Sequence, residues 1–243
     1  MEYYYKVAGL TVAMDSFGRI IDQAKPYLIN RPETIDIQIQ SEWPKLKQKY
    51  PMISDEAGEY LATGKSFYQK LLDFDGMMLH ASAVVVDGRA YLFSADCGTG
   101  KSTHVGLWLK RFGERAYILN DDKPAMRIVN GTWYAFGTPW SGKYDLSTNT
   151  GVPIAGIAML ERSDANEIAR FQGKDAIYAI YRQLNRKTET AAFRIKQLEL
   201  LDKLLTQVPV WKLKCNMDPE AAMVSYEAMS GNAAGDDLRS EEK

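Results

Sequence analysis

The segment Ala95-Asp96-Cys97-Gly98-Thr99-Gly100-Lys101-Ser102-Thr103 constrains this chain more than any other. An apolar stretch, Ala90 to Phe93, precedes it, and a helix-like run from Thr103 to Phe112 comes after it. A glycine-rich turn between a strand and a helix points several backbone N–H groups at one place. The helix N-terminus adds a partial positive charge there, Lys101 adds a full one, and the Ser102 hydroxyl can reach a Mg²⁺ held by the same phosphates. The segment therefore predicts a polyphosphate cradle in an α/β setting. Alanine stands at 95 where the usual G-x-x-x-x-G-K-[ST] pattern begins with glycine. Its Cβ disfavours positive φ, so the entry into the loop departs from the common form while the Gly98-to-Thr103 core is intact.

The rest of the composition narrows the alternatives. At 243 residues, 46% hydrophobic and 25% charged, the chain has enough apolar material for one substantial core or two unequal lobes. A formal net charge of −1 gives no overall pull toward nucleic acid or anionic membranes. Two cysteines, Cys97 and Cys215, make no disulfide framework and no four-thiolate metal site. Neither a basic-then-apolar leader nor an apolar run near 20 residues is visible, which points to a cytoplasmic protein without a membrane partner.

Residues 1–75 read as a mixed scaffold or partner lobe: a strand over Tyr3–Val12, a helix over Phe17–Leu28, and period-2 alternation over Ile35–Gln40. Pro44 and Pro51 then break the pattern, and a helix over Glu56–Leu72 turns Tyr60, Leu61, Phe67, Leu71 and Leu72 inward. Tyr3, Tyr4 and Tyr5 read as core and edge packing. Residues 76–229 read as a nucleotide-binding, kinase-like core. Here Asp87-Gly88 and Asn130-Gly131 mark two hairpins, Leu79–Val86 with Arg89–Phe93 and Pro124–Val129 with Thr132–Phe136. The helix after the phosphate loop stops at Gly113, and Ala116–Leu119 is a short strand. Further strands are expected over Pro153–Leu160 and Val208–Leu213, and helices over Asp175–Leu184, Ala191–Leu205 and Pro219–Met229. Residues 230–243 read as a disordered tail.

Asp121 and Asp122 close that short strand twenty positions after Lys101. In phosphate-loop proteins a strand near the loop delivers a carboxylate to the metal, and neighbouring aspartates at a strand end face different sides. One can then meet the metal while the other meets an incoming nucleophile; the competing reading is a surface turn.

Leu79-His80-Ala81, the hairpin, Cys97-to-Thr103 and Asn120-Asp121-Asp122 together resemble the catalytic core of HPr kinase/phosphorylase. They also resemble the nucleotide half of ATP-dependent phosphoenolpyruvate carboxykinase, over residues 77–162. Among relatives the chain looks most like short HPr-kinase-like proteins, some of which phosphorylate serine in ribosomally made peptides. The resemblance implies a mixed α/β fold with mixed sheets and flanking helices. It implies ATP and Mg²⁺ as cofactors, a peptide or small-protein substrate, and a homo-oligomer, although no residue here carries hexamer formation over. It assigns Asp121 the general-base role, Asp122 and Ser102 the metal, and Cys97, Gly98, Thr99, Gly100, Lys101, Ser102 and Thr103 the nucleotide. The upstream histidine of the family falls on His80. Thr103 stands where HPr kinases carry glutamate, and no match to their phosphorylase arginine signature is found, which argues against the reverse reaction. The chain is about half the length of a metabolic carboxykinase.

The remaining candidates each have two readings. Gly137-to-Lys143 is either a lid with Lys143 covering phosphate charge or a hairpin exit packed by Trp140. His80 either tunes Asp121 or polarises a water, or else is a core histidine. Lys123 either neutralises the aspartates or touches the γ-phosphate, or else is solvated. His104 is expected to be exposed, and Cys97 is a small loop residue with a redox role as the alternative. The resulting expectation is a kinase acting on a hydroxyl, most plausibly a serine. The alternatives are a non-catalytic ATP-binding module and a kinase of free serine or another metabolite.

Overall fold

The computed structural model describes residues 2–184 and 190–231. It begins with a hairpin, β1 (Tyr3–Val7) and β2 (Leu10–Met14), where a single strand was expected. Ala8 and Gly9 both take positive φ, 52° and 75°, and make the turn. Alanine is a poor residue for that conformation, which is why the turn is hard to see in the sequence. Next come α1 (Arg19–Ala24), β3 (Leu28–Ile29), β4 (Ile37–Ile39), α2 (Trp43–Lys49) and α3 (Asp55–Lys70). Pro44 opens α2 from its first turn, the place where a missing N–H costs nothing. Ser54 caps α3 by accepting from the Ala57 N–H at 3.3 Å. These strands form a four-stranded sheet in the order β3-β1-β2-β4. α3 packs on it through Tyr60, Phe67 and Tyr68, while Leu61 faces solvent rather than inward.

The larger sheet is assembled from β5 (Gly76–Met78), β6 (Ala81–Val86), β7 (Arg89–Ser94), β8 (Ala116–Asn120), β9 (Ala125–Val129), β10 (Thr132–Phe136), β11 (Gly151–Arg162), β12 (Glu167–Arg170) and β13 (Val210–Cys215). The helices between and after these strands are α4 (Lys101–Phe112), α5 (Gly173–Gln183), α6 (Ala191–Gln207) and α7 (Glu220–Gly231). Residues 230 and 231, expected to begin a disordered tail, instead end α7; the rest of that tail, 232–243, lies outside the described residues.

β11 organises this sheet. Its first residues pair antiparallel with β10, and its last six pair parallel with β13. On its other side it runs parallel to β7. The order β8-β6-β7-β11-β13 results, with β7, β8, β11 and β13 all ending at one edge and β6 starting there. Side chains alternate between two cores, as the pleat requires. Ala83, Val85, Leu92 and Ile157 face α5 and α6, whereas Val84, Tyr91, Phe93 and Ala158 face α4 and α7. The fold is therefore mixed α/β, with mixed sheets and flanking helices.

Candidate active site

The carboxyl ends of parallel strands leave a crevice where loops and helix N-termini converge, and that edge is where open α/β sheets bind ligands. Here the loop Ala95–Gly100 leaves β7 at this edge and enters α4. Gly98 and Gly100 take φ of 78° and 121°, and an added Cβ at either would meet no atom within 4 Å. Glycine is needed at both for the backbone turn, and the space beside them is open. Asp96, Cys97 and Gly98 are exposed, and Ser102 and Thr103 are exposed on the first turn of α4. Arg162, from the end of β11, donates to the Thr99 carbonyl at 2.9 Å and to that of Gly98. The loop's carbonyls are thus occupied from one side.

Lys101 is only 9% exposed. Its ammonium donates to the carbonyls of Ala95 at 3.0 Å and Asp96 at 3.4 Å. Burial lowers its pKa, while the charges of Cys97, Asp122, Asp121 and Asp96 oppose that shift. The amine therefore sits within the field of both members of the acid pair.

Asp121 and Asp122 come directly after β8 at the same edge. Two features aim them. β8 pairs with β6 through a register shift beside Ala83, a bulge that re-aims the strand end. Asn120, fully buried, accepts from the N–H groups of Asp122 at 3.0 Å and Lys123 at 2.7 Å, and donates to the Thr138 carbonyl at 3.0 Å. The two carboxylates then diverge. Asp121 Oδ1 accepts from the Ser82 hydroxyl at 2.6 Å, and Asp122 meets His80 Nε2 at 3.5 Å and the ammonium of Lys123. Lys123 thus pairs with Asp122 instead of being a free solvated cation.

His80 stands on the strand side of the pair. Its Nδ1 lies 3.1 Å from Gln183 Oε1, and Gln183 Nε2 donates to Asp96 Oδ1 at 2.9 Å. This chain of polar groups ties the acid pair to the phosphate loop across α5. Burial and the charge of Lys101 lower the His80 pKa, against opposing pulls from Gln183 and Asp122, which favours a neutral imidazole near pH 7.

The Gly137–Lys143 segment is anchored at its centre. Trp140 is 1% exposed, stacks on Phe67 with centroids 4.8 Å apart, and donates to Thr63 Oγ1 at 3.3 Å. Gly142 takes φ of 81°, and a Cβ there would lie 3.0 Å from Asp122 Cβ, so the loop backs directly onto the acid pair. Its N–H donates to the Tyr60 hydroxyl at 2.9 Å, and its carbonyl accepts from Gln23 at 3.0 Å. The segment is a packed support. Lys143 is exposed, with its ammonium 5.7 Å from the Tyr144 ring, and does not share the inner constellation.

His104 is buried, not exposed as expected. α4 turns it toward α7, where Nε2 lies 3.0 Å from Ser225 Oγ and accepts from the Trp108 indole at 3.2 Å. The i, i+4 spacing of His104 and Trp108 was the available signal. Burial pushes its pKa down to about 4. Ser82, Asn120, Gln183 and Arg162 carry site contacts that sequence reasoning did not assign. Asn120 was visible beside the aspartates, whereas the others come from distant elements with no local pattern.

The site thus has a glycine loop, a lysine and an oriented acid pair on one edge of a mixed α/β sheet. A family model for the SynChlorMet cassette protein ScmC matches residues 61–220, and the chain belongs to that family. No curated protein matches the chain. Among solved structures, the HPr(Ser) kinase/phosphatase from Coxiella burnetii is similar over 68% of this chain and 98% of that one, with 12% identity and a TM-score of 0.39. That likeness is too distant to bear on function. No helix among the described residues is long and apolar enough to cross a membrane.

Proposed function

We propose that this protein is an ATP- and Mg²⁺-dependent kinase that transfers the γ-phosphoryl group to a hydroxyl, that of a serine in a peptide or small protein. The observation that carries the reading is the placement of Asp121, oriented by Ser82, at the same sheet edge as the glycine loop and within the field of Lys101. The loop amides and Lys101 would hold the β- and γ-phosphates, releasing the lysine from the Ala95 and Asp96 carbonyls. Asp121 Oδ2, not engaged by Ser82, would accept the proton of the acceptor hydroxyl as its oxygen bonds to the γ-phosphorus. The bond from that phosphorus to the β,γ-bridging oxygen breaks, and ADP leaves. Such transfer depends on positioning and charge stabilisation rather than covalent catalysis, so this small set is sufficient.

A serine hydroxyl and one carboxylate suit Mg²⁺, which commonly binds through one or two carboxylates plus substrate phosphates. Among the described residues no group of three His, Cys, Asp or Glu side chains could hold a metal, so the phosphates would have to complete the shell. Ser102 and Asp122 are the donors this chain offers, and the ion would neutralise charge developing on the phosphoryl oxygens. His80 and Lys123 position Asp122. Residues 1–75 serve as the support lobe, reaching the site through Gln23, Tyr60 and Tyr68.

The test is Asp121→Asn, with magnesium-dependent ADP formation measured on serine-containing peptide pools and ATP binding measured by calorimetry. The expected outcome is a loss of turnover of about 10²–10⁴-fold, with ATP affinity kept within a few-fold. Unchanged turnover would remove Asp121 from the chemistry. ATP binding without turnover in the unaltered protein would instead make the chain a nucleotide-binding module.

A further inference from the structure

The acid pair occupies only one side of the phosphate loop. β8, which carries it, lies two strands from β7; β11 and β13 lie on the opposite side, and all four strands end at the same edge. Beyond the ends of β11 and β13 is a groove of about 630 Å³. Thr99, Gly100 and Thr103 form its loop-side wall, Leu160 and Cys215 its floor, and Met217 stands on its lining. Met217 is 76% exposed, a large apolar side chain bordering a cleft that touches the phosphate loop.

The far wall is held in place by its own hydrogen bonds. The Ser163 N–H donates to the Cys215 carbonyl at 3.0 Å, and the Asn216 N–H to Asn166 Oδ1 at 3.0 Å. Asn216 Nδ2 donates to the Asp164 carbonyl at 3.1 Å and to Asp218 at 2.8 Å. The groove is thus formed in advance and within the size range of small-molecule sites, with Leu160, Cys215 and Met217 as its apolar lining beside polar Arg162, Ser163, Asp164 and Asn216.

We propose that this groove receives the nucleoside half of the triphosphate, with the base lying against Leu160 and Met217. The inference rests on the kinase reading and fixes the direction of the nucleotide: base over β11 and β13, phosphates at the end of β7, γ-phosphate toward β8. Four inter-strand spacings of ~4.8 Å span roughly 19 Å from β8 to β13, the scale of an extended nucleoside triphosphate. A nucleotide bound the other way round would carry its γ-phosphate toward β11 and β13, away from Asp121.

The test compares Mg²⁺-ATP with inorganic tripolyphosphate by calorimetry on the full chain. ATP should bind the unaltered protein at least about tenfold more tightly, the contribution of a base making apolar contact. Met217→Ser, at an exposed position, should abolish most of that advantage and, adding no charge, leave tripolyphosphate affinity within about twofold; Met52→Ser, far out on the surface, should change neither. Equal binding of the two ligands by the unaltered protein would overturn the proposal. So would Met217→Ser leaving ATP affinity intact, or weakening both ligands alike. If the unaltered protein bound neither, the phosphate-loop reading itself would fail and this inference with it.

Discussion

Two loops with glycines at their bends meet at the edge of the large sheet, and they are built on opposite principles. Ala95–Gly100 keeps Asp96, Cys97 and Gly98 in solvent, with space beside Gly98 and Gly100. Gly137–Gly142 buries Thr138, Trp140 and Ser141 and is tied to α1 and α3 by Gln23, Thr63 and Tyr60. The first faces open space, with the Thr99 N–H donating to the Asp96 carbonyl at 3.3 Å inside the loop itself. The second uses its hydrogen-bonding groups on neighbouring elements and holds the acid pair from behind. Glycine content alone therefore does not mark a binding loop; what the loop's polar groups face does.

The contrast can be broken most forcefully at Trp140. Trp140→Ala should cost about 3–5 kcal/mol of unfolding free energy in denaturant titration, with Trp140→Phe recovering most of it through the stack on Phe67. A loss below about 1 kcal/mol would show that the second loop is not a core element.

A second effect, on the order of 3 kcal/mol, concerns His104 and hence the packing of the helix that the first loop enters. Its pKa is lowered to about 4, so the unfolded chain takes up a proton near pH 6.5 before the folded one does. The stability it contributes is complete above that pH and drains away as pH falls toward 4. Thermal unfolding of His104→Gln should show a shallower loss over that window than the unaltered protein; parallel curves would contradict the assignment.

Ser82→Ala should lower turnover by about tenfold, the worth of one hydrogen bond to a carboxylate, while KM for ATP stays constant. Ser82→Thr should restore part of it, and a change in KM alone would place Ser82 outside the positioning of Asp121. The smallest effect belongs to the first loop: Cys97→Ala should shift stability by less than about 0.5 kcal/mol, in contrast with Trp140. A larger loss would mean that the open loop also carries the fold.

Much of the large sheet was legible because its signals are local. Asp87-Gly88 and Asn130-Gly131 make hairpins between β6 and β7 and between β9 and β10, with positive φ at both residues of each turn. The strand–loop–helix around Lys101 is equally local. What escaped depends on contacts between distant elements. The Ala8-Gly9 turn puts alanine at a positive-φ position where a strong hairpin signal carries Asn, Asp or Gly, β12 is a short edge strand of mostly exposed residues, and Leu61 sits on the solvent side of α3. Within the site, the aspartates could be read because they end a strand. Gln183, 87 positions from its partner Asp96, could not, since nothing near it in the chain signals that pairing. Lys143 drew attention through its neighbours Gly142 and Trp140, yet those residues pack inward while it faces out.

The most direct measurement is a crystal structure of the full chain with Mg²⁺ and a non-hydrolysable ATP analogue. Phosphate oxygens are expected on the amides between Gly98 and Ser102, the γ-phosphorus between the Lys101 ammonium and the Asp121 carboxylate, and the base beyond Thr103. A nucleotide seated elsewhere, or Asp121 turned away from the terminal phosphate with the loop fully ordered, would contradict the kinase reading.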